Sequence, residues 1–104
     1  MGDTRGTHSE WTFLTSHARV LLAIARDPCV RLRDIAVSCG ITERTVQAIV
    51  TDLEEAGYLT RDRADDARRN RYDIVRGSRF RHPAEADHEI SGLLALLADP
   101  HDTP

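Results

Sequence analysis

The chain has 104 residues, of which 14 are basic, 17 are acidic and five are histidine, and its formal net charge is −3 at pH 7. This length allows one domain with a modest core and excludes a second one. No apolar run is longer than that of residues 20–25, which is too short to cross a bilayer. The sequence contains no nucleophile–base pair, no phosphate-binding glycine loop and no metal-ligand spacing. We therefore expect no enzyme, no cofactor and no metal site.

The chain begins with a polar stretch, and we expect residues 1–10 to form a disordered tail. A first helix is predicted over residues 16–26, with Thr15 as its N-terminal cap. The wide apolar face of this helix is typical of a helix that supports two others in a small domain. Trp11 and Phe13 precede the helix. This aromatic pair either covers one end of the core or contacts a partner subunit.

Residues 31–57 have the pattern of a helix-turn-helix. A short helix is predicted over 32–39 and ends at Gly40. A three-residue turn follows, and a longer helix over 43–56 ends at Gly57. Glycine commonly ends helices because it adopts the left-handed conformation without a steric penalty.

The short helix begins with two arginines, Arg31 and Arg33. Positive charge at a helix N-terminus opposes the helix dipole, so helix stability does not explain these residues. They either contact phosphate groups or are solvated and partly offset by Asp34.

The longer helix is amphipathic, and Thr42 can cap its first turn. One stripe with the spacing i, i+3, i+4, i+7 is apolar and predicts the side that faces the core: Val46, Ile49, Val50 and Leu53. The opposite side carries mainly short or hydrogen-bonding side chains that suit base edges in a DNA groove: Glu43, Arg44, Thr45, Gln47, Ala48 and Thr51. An ordinary surface helix has the same periodicity. The tight turn before this helix and the basic segment after it favour nucleic-acid recognition.

Alternating residues predict two antiparallel strands, 58–63 and 71–76, joined by the polar segment 64–70. A helix-turn-helix followed by a two-stranded hairpin is a winged helix. The predicted fold class is therefore mainly α with a small β-hairpin wing. Residues 58–82 contain eight arginines and four aspartates, so the cationic charge of the chain is concentrated in this hairpin and just after it.

The stretch LRDIAVSCGITERTVQAIVTDLEEAGYLTR and the later RRNRYDI closely resemble the winged helix-turn-helix DNA-binding transcriptional regulators of the MarR type. The resemblance covers about residues 13–75. It implies that the recognition helix, 43–56, lies in the major groove, and that the arginine-rich wing, 64–71, lies on the DNA backbone or in the minor groove. The groove-facing residues would be Thr42, Glu43, Arg44, Thr45, Gln47, Ala48 and Thr51. The wing-tip residues would be Arg68, Arg69 and Arg71, and they share the wing with Asp65 and Asp66, which depart from the family pattern.

A C-terminal helix is predicted over residues 83–99, because its start is acidic and a helical apolar stripe follows. Residues 100–104 would form a short disordered tail, which leaves residues 11–82 as the DNA-binding domain. The stripe either packs on its own domain or joins two chains. We expect dimerisation, because operator-binding helix-turn-helix proteins usually pair. The residues of the stripe are Ile90, Leu93, Leu94 and Leu97.

These patterns together predict a cytoplasmic homodimer that binds double-stranded DNA as a transcriptional regulator. Only two cysteines, Cys29 and Cys39, are present, which fits a reducing compartment. One alternative is a winged helix used for protein interaction. Another is a regulator that responds to a ligand or to oxidation of Cys39. For Cys39 itself the simpler interpretation is a small buried residue.

Overall fold

The computed structural model describes residues 11–63 and 70–98. Over these residues the chain forms four helices and one antiparallel hairpin, which confirms a mainly helical winged helix. None of these helices is long and apolar enough to cross a membrane. The elements in chain order are α1 (Ser16–Arg26), α2 (Leu32–Cys39), α3 (Glu43–Glu55), β1 (Leu59–Arg63), β2 (Asn70–Ile74) and α4 (Ser91–Leu97).

The first three helices begin and end close to where local sequence signals predict. The hydroxyl oxygens of Thr15 and Thr42 each accept a hydrogen bond from the third amide after them, at 3.1 Å, and so cap α1 and α3. Gly40 ends α2 with φ +71°, and Gly57 follows α3 with φ +86°. Both glycines therefore occupy the left-handed region, where other residues are strained.

The core lies between the first three helices, the hairpin and the C-terminal segment. The predicted apolar stripe of α3 is confirmed, since none of its four residues is more than 6% exposed. Full burial of a large apolar side chain contributes about 1.5–3 kcal/mol, so this stripe fixes which face of α3 points outward. The largest fully buried side chains are Tyr72, Ile24, Ile35, Leu59, Ile90, Leu94, Val20, Val46 and Val50.

The two strands of the hairpin pair with each other, and β2 is also tied to the rest of the domain. The register pairs Leu59 with Ile74 and runs to the pair of Arg63 and Asn70. The amide of Tyr72 also donates to the carbonyl of Pro28 at 3.0 Å, which ties β2 to the loop before α2. Strand β2 covers residues 70–74 rather than 71–76, because a turn closed by the Ser78 amide and the Val75 carbonyl, at 3.0 Å, follows it.

The C-terminal helix differs from the prediction. It begins at Ser91 rather than near residue 83; residues 83–87 form turns instead, and Glu89 forms an isolated antiparallel bridge with Arg79. The amide of Phe80 donates to the carbonyl of His88 at 3.1 Å, and the amide of Ile90 donates to the carbonyl of Ser78 at 2.8 Å. These backbone bonds close a loop between residues 78 and 90. The acidic start of the segment favours a helix locally, but it carries no information about such long-range partners.

Candidate nucleic-acid interface

The outer face of α3 is open to solvent over its first two turns. All seven residues predicted to face a groove are exposed: Thr42, Glu43, Arg44, Thr45, Gln47, Ala48 and Thr51. The hydroxyls of Thr42 and Thr45 lie 2.9 Å apart. Within residues 11–63 and 70–98, the side chains of Arg44 and Gln47 form no hydrogen bond or ion pair, so the donors of both are available to a ligand.

The turn before α3 holds the two helices in a fixed relation. The amide of Ile41 donates to the carbonyl of Ala36 at 3.1 Å, and the left-handed Gly40 lies between them. This is the bonding pattern that closes a helix C-terminus. Since Ile35 and Ala36 are buried, α2 packs beneath α3 and supports it.

Arg31 and Arg33 are both exposed at the N-terminus of α2. The Arg31 side chain makes no capping hydrogen bond. In the described part of the chain neither arginine forms an ion pair with Asp34, which lies in the same turn. Both arginines lie at the start of α2, the helix that precedes the turn.

Of the hairpin that carries the wing, the structure describes only the two strands, β1 and β2. Arg68 and Arg69 lie outside the described residues, as do Asp65 and Asp66. Arg71 is exposed on β2, and its Nε lies 3.9 Å from Oδ1 of Asp73. Asp62 is its partner in the strand register. A solvated pair at this distance contributes little energy, so it does not prevent Arg71 from binding an anion.

Arg61, the residue that joins the hairpin to α3, is not among the site residues predicted from the sequence. Nη2 of Arg61, on β1, lies 2.9 Å from Oε1 of Glu54, on α3. The Arg61 guanidinium carbon also lies 5.8 Å from the ring centroid of the buried Tyr72. The only sequence signals for this contact are the position of Glu54 near the end of α3 and the alternation of residues along β1.

The predicted C-terminal stripe is divided by the fold. Ile90 is 2% exposed and Leu94 is 0% exposed, so both belong to the core of their own chain. This corrects their assignment to a dimer surface, because a side chain that is already covered has no area left to bury against a partner. Leu93 is half-buried, and Leu97 is 38% exposed. Leu96, at 63% exposure, is the more open leucine of this helix.

A cavity of about 640 Å³ lies between α1, the end of α3 and the C-terminal segment. Leu21, Tyr58 and Leu93 contribute apolar surface to it. At one side, Nε2 of His17 lies 2.8 Å from Oδ2 of Asp52 and joins α1 to α3. The described residues contain no cluster of side chains that could hold a metal ion. Cys29 and Cys39 are both half-buried and unbridged.

Comparisons with known proteins agree with this geometry. Residues 12–69 match the profile of the MarR family. Two crystal structures of the PcaV transcriptional regulator from Streptomyces coelicolor have a similar fold, one of them in complex with its natural ligand. The first has a TM-score of 0.52 at 24% identity, over 59% of this chain and 46% of that one. The complex has a TM-score of 0.50 at 27% identity, over 64% of this chain and 47% of that one.

This chain thus spans about half the length of the PcaV chains that it matches. No curated protein matches it. The family profile covers more than half of the chain and includes the helix-turn-helix and β1. The resemblance seen in the sequence is therefore confirmed: the chain belongs to the MarR family and has the fold of its winged-helix transcriptional regulators.

Proposed function

We propose that this protein binds double-stranded DNA in a sequence-specific manner and acts as a transcriptional regulator. In this proposal α3 enters the major groove, and the wing lies against the backbone or in the minor groove. The observation that carries it is the outer face of α3, where Arg44 and Gln47 are exposed and have no side-chain partner in the described residues.

The chemistry of this face suits base recognition. A major groove about 12 Å wide admits one helix, and its base edges present donors and acceptors in a pattern specific to each base pair. Arginine pairs with guanine and glutamine with adenine through two hydrogen bonds each. The buried stripe of α3 and the Thr42 cap fix the helix, so these side chains are presented from a rigid support.

The remaining cationic residues suit the DNA backbone. Arg71 projects from β2, while Arg31 and Arg33 lie at the start of α2. The proposal also includes Arg68 and Arg69 at the wing tip. Contacts of arginine with phosphate position a protein on the duplex without reading its sequence. The charge of the hairpin region attracts DNA locally even though the whole chain is acidic.

Selection of bound sequences from a random DNA pool, at two salt concentrations, tests the proposal. We expect one enriched motif and an affinity that falls steeply with salt, because phosphate contacts release counterions. If no motif is enriched at either salt concentration, sequence-specific recognition is excluded. If no duplex binds at low salt, the winged helix serves another purpose, such as protein interaction.

We further propose that the protein acts as a homodimer in the cytoplasm. The apolar surface that supports pairing lies near the two ends of the described chain. Trp11 is 74% exposed and Phe13 is 92% exposed, and they pack edge to face with their ring centroids 5.2 Å apart. Leu14 and Leu97 line a single cleft beside α1. This cleft therefore brings apolar residues from both ends of the described chain together, and Leu96, 63% exposed, neighbours Leu97 on α4.

A second candidate function is regulation by a small molecule that binds the cavity between α1 and α3. Two observations favour it: the cavity borders α3 itself, and one of the similar PcaV structures is a complex of that protein with its natural ligand. A thermal-shift screen with small aromatic and aliphatic compounds tests it. A hit must also change operator affinity, and a Leu93→Trp variant, which narrows the cavity at a half-buried lining residue, must weaken the response.

A further inference from the structure

Glu54 occupies an unexpected position on the proposed DNA-binding helix. Gln47, Thr51 and Glu54 have the spacing i, i+4, i+7 and therefore lie along one side of α3. Glu54 thus continues the exposed face towards the wing. An uncompensated carboxylate at this place would repel DNA phosphates.

Arg61 compensates this carboxylate and reaches the hairpin core at the same time. Its Nη2 donates to Oε1 of Glu54 at 2.9 Å, and its guanidinium lies over the Tyr72 ring. The Arg61 and Glu54 side chains are 35% and 37% exposed, whereas Tyr72 is 2% exposed. One side chain on β1 therefore contacts both α3 and β2.

Tyr72 connects Arg61 to the rest of the domain. It is the strand partner of Arg61, and its amide donates to the carbonyl of Pro28. The hairpin is thus tied on one side to the loop before α2 and on the other side, through Arg61, to α3. These two contacts act together with the hydrogen bond from the Tyr58 amide to the Leu53 carbonyl, at 2.9 Å, which joins the start of the hairpin to α3.

We propose that Arg61 is a positioning residue that fixes the wing relative to α3, so that both elements contact one DNA duplex at the same time. This inference rests on the proposed DNA binding. In it, the guanidinium of Arg61 is committed to Glu54 and Tyr72 and does not contact phosphate itself. The competing explanation is that Arg61 is a phosphate contact and that Glu54 merely weakens it.

The two explanations predict opposite signs for Glu54→Gln. If Arg61 positions the wing, the loss of the carboxylate charge weakens its bond to residue 54 and loosens the hairpin, so affinity for the selected operator falls. If Arg61 binds phosphate, the same change frees its charge, and affinity rises. Glu55→Gln is the matched control, because it removes the same charge from the adjacent residue of α3, which has no ion pair in the described chain.

Operator affinities are measured by fluorescence anisotropy for the native chain, Glu54→Gln, Glu55→Gln, Arg61→Met and the Glu54→Gln, Arg61→Met double variant. We expect Glu54→Gln to bind about threefold to fivefold more weakly than Glu55→Gln, the scale of a partly exposed ion pair. In the Arg61→Met background, Glu54→Gln should no longer weaken binding, because the contact is already absent. Equal or tighter binding by Glu54→Gln than by Glu55→Gln overturns the inference.

A readout without DNA separates this inference from the proposed function. In proton magnetic resonance spectra, the Tyr72 ring signals should shift in Glu54→Gln and remain in place in Glu55→Gln, because only the first change removes the charge that holds the guanidinium over the ring. If the ring signals do not shift, Arg61 is not held by Glu54 and the inference fails. If the native chain binds no duplex, the proposed function fails instead. Melting temperatures confirm that each variant is folded.

Discussion

Arg44 and Gln47 extend from the first two turns of α3. The N–H donors of both side chains have no acceptor among the described residues. A buried polar group needs a partner, but an exposed one at a rigid position is ready for a ligand. The two residues differ in what they can read. The arginine fork matches two acceptors on guanine, whereas the amide of glutamine matches one acceptor and one donor on adenine.

The first prediction concerns base reading by these two residues. Arg44→Ala and Gln47→Ala should each cost about 1–3 kcal/mol on the selected operator, because a bidentate base contact is lost. Each should also relax the preference at one base pair of the motif. Affinity on operator and on random DNA is measured side by side. Equal losses on the two would mean that these side chains touch only phosphate.

The second prediction concerns the wing arginines. Arg71→Ala and Arg69→Ala should weaken binding to operator and to random DNA by similar factors, because phosphate contacts carry no sequence information. Each lost contact should reduce the slope of log affinity against log salt by about 0.9. Titrations at four salt concentrations measure this slope. An unchanged affinity and slope in both variants would remove the wing from the mechanism.

At the scale of single elements, the helix-turn-helix is defined by its termini. Gly40 and Gly57 lie at the ends of α2 and α3, both with positive φ. An added Cβ at Gly57 would meet no atom within 4 Å, so only backbone conformation restricts this position. The strain of the left-handed region can therefore be measured there without a steric clash.

The third prediction uses Gly77 as a control for Gly57. Gly57→Ala should lower the free energy of unfolding by about 1–2 kcal/mol, the cost of the left-handed conformation for a residue with a Cβ. Gly77 also has open space around its Cα, but it lacks positive φ. Gly77→Ala should therefore be neutral or stabilise the fold by up to about 1 kcal/mol. Urea unfolding followed by circular dichroism measures both; equal effects would contradict the assignment of strain to Gly57.

At the scale of the whole molecule, the C-terminal segment has two roles. Its apolar periodicity does not show which residues enter the core of their own chain and which stay exposed for a partner chain. Ile90 and Leu94 complete the core of their own chain. Arg26 reinforces this arrangement, because its Nη2 donates to the carbonyl of Leu97 at 2.8 Å. The leucines that remain open, Leu96 and Leu97, lie at the end of α4.

The fourth prediction concerns assembly. A Leu96→Glu, Leu97→Glu variant should sediment as a monomer and keep nearly the native melting temperature, because both residues are partly exposed in the single chain. It should also lose cooperative binding to a palindromic operator, whose half-sites lie about 34 Å apart.

Leu94→Glu is the contrasting variant, and it should unfold the domain because it places a charge in the core. If the native chain sediments as a monomer at micromolar concentration without DNA, the dimer proposal fails.

The sequence by itself determined the parts of this protein that depend on neighbours along the chain. Helices α1 and α2 have the predicted bounds, and α3 ends one residue earlier than expected. Capping threonines, left-handed glycines and apolar periodicity act within one or two helical turns, so they can be recognised in a single sequence. The exposed face of α3 follows directly, because the buried stripe leaves only one side outward.

Only the tertiary structure decided which residues meet across the chain. It placed Ile90 and Leu94 in the core, turned residues 83–89 into a loop, and joined Glu54 to Arg61. Each of these outcomes depends on contacts between residues that are far apart in the sequence. Different segments of the chain compete for the same backbone donors or for the same apolar surface. Periodicity specifies that a face is apolar, but the packing of the whole domain selects what covers it.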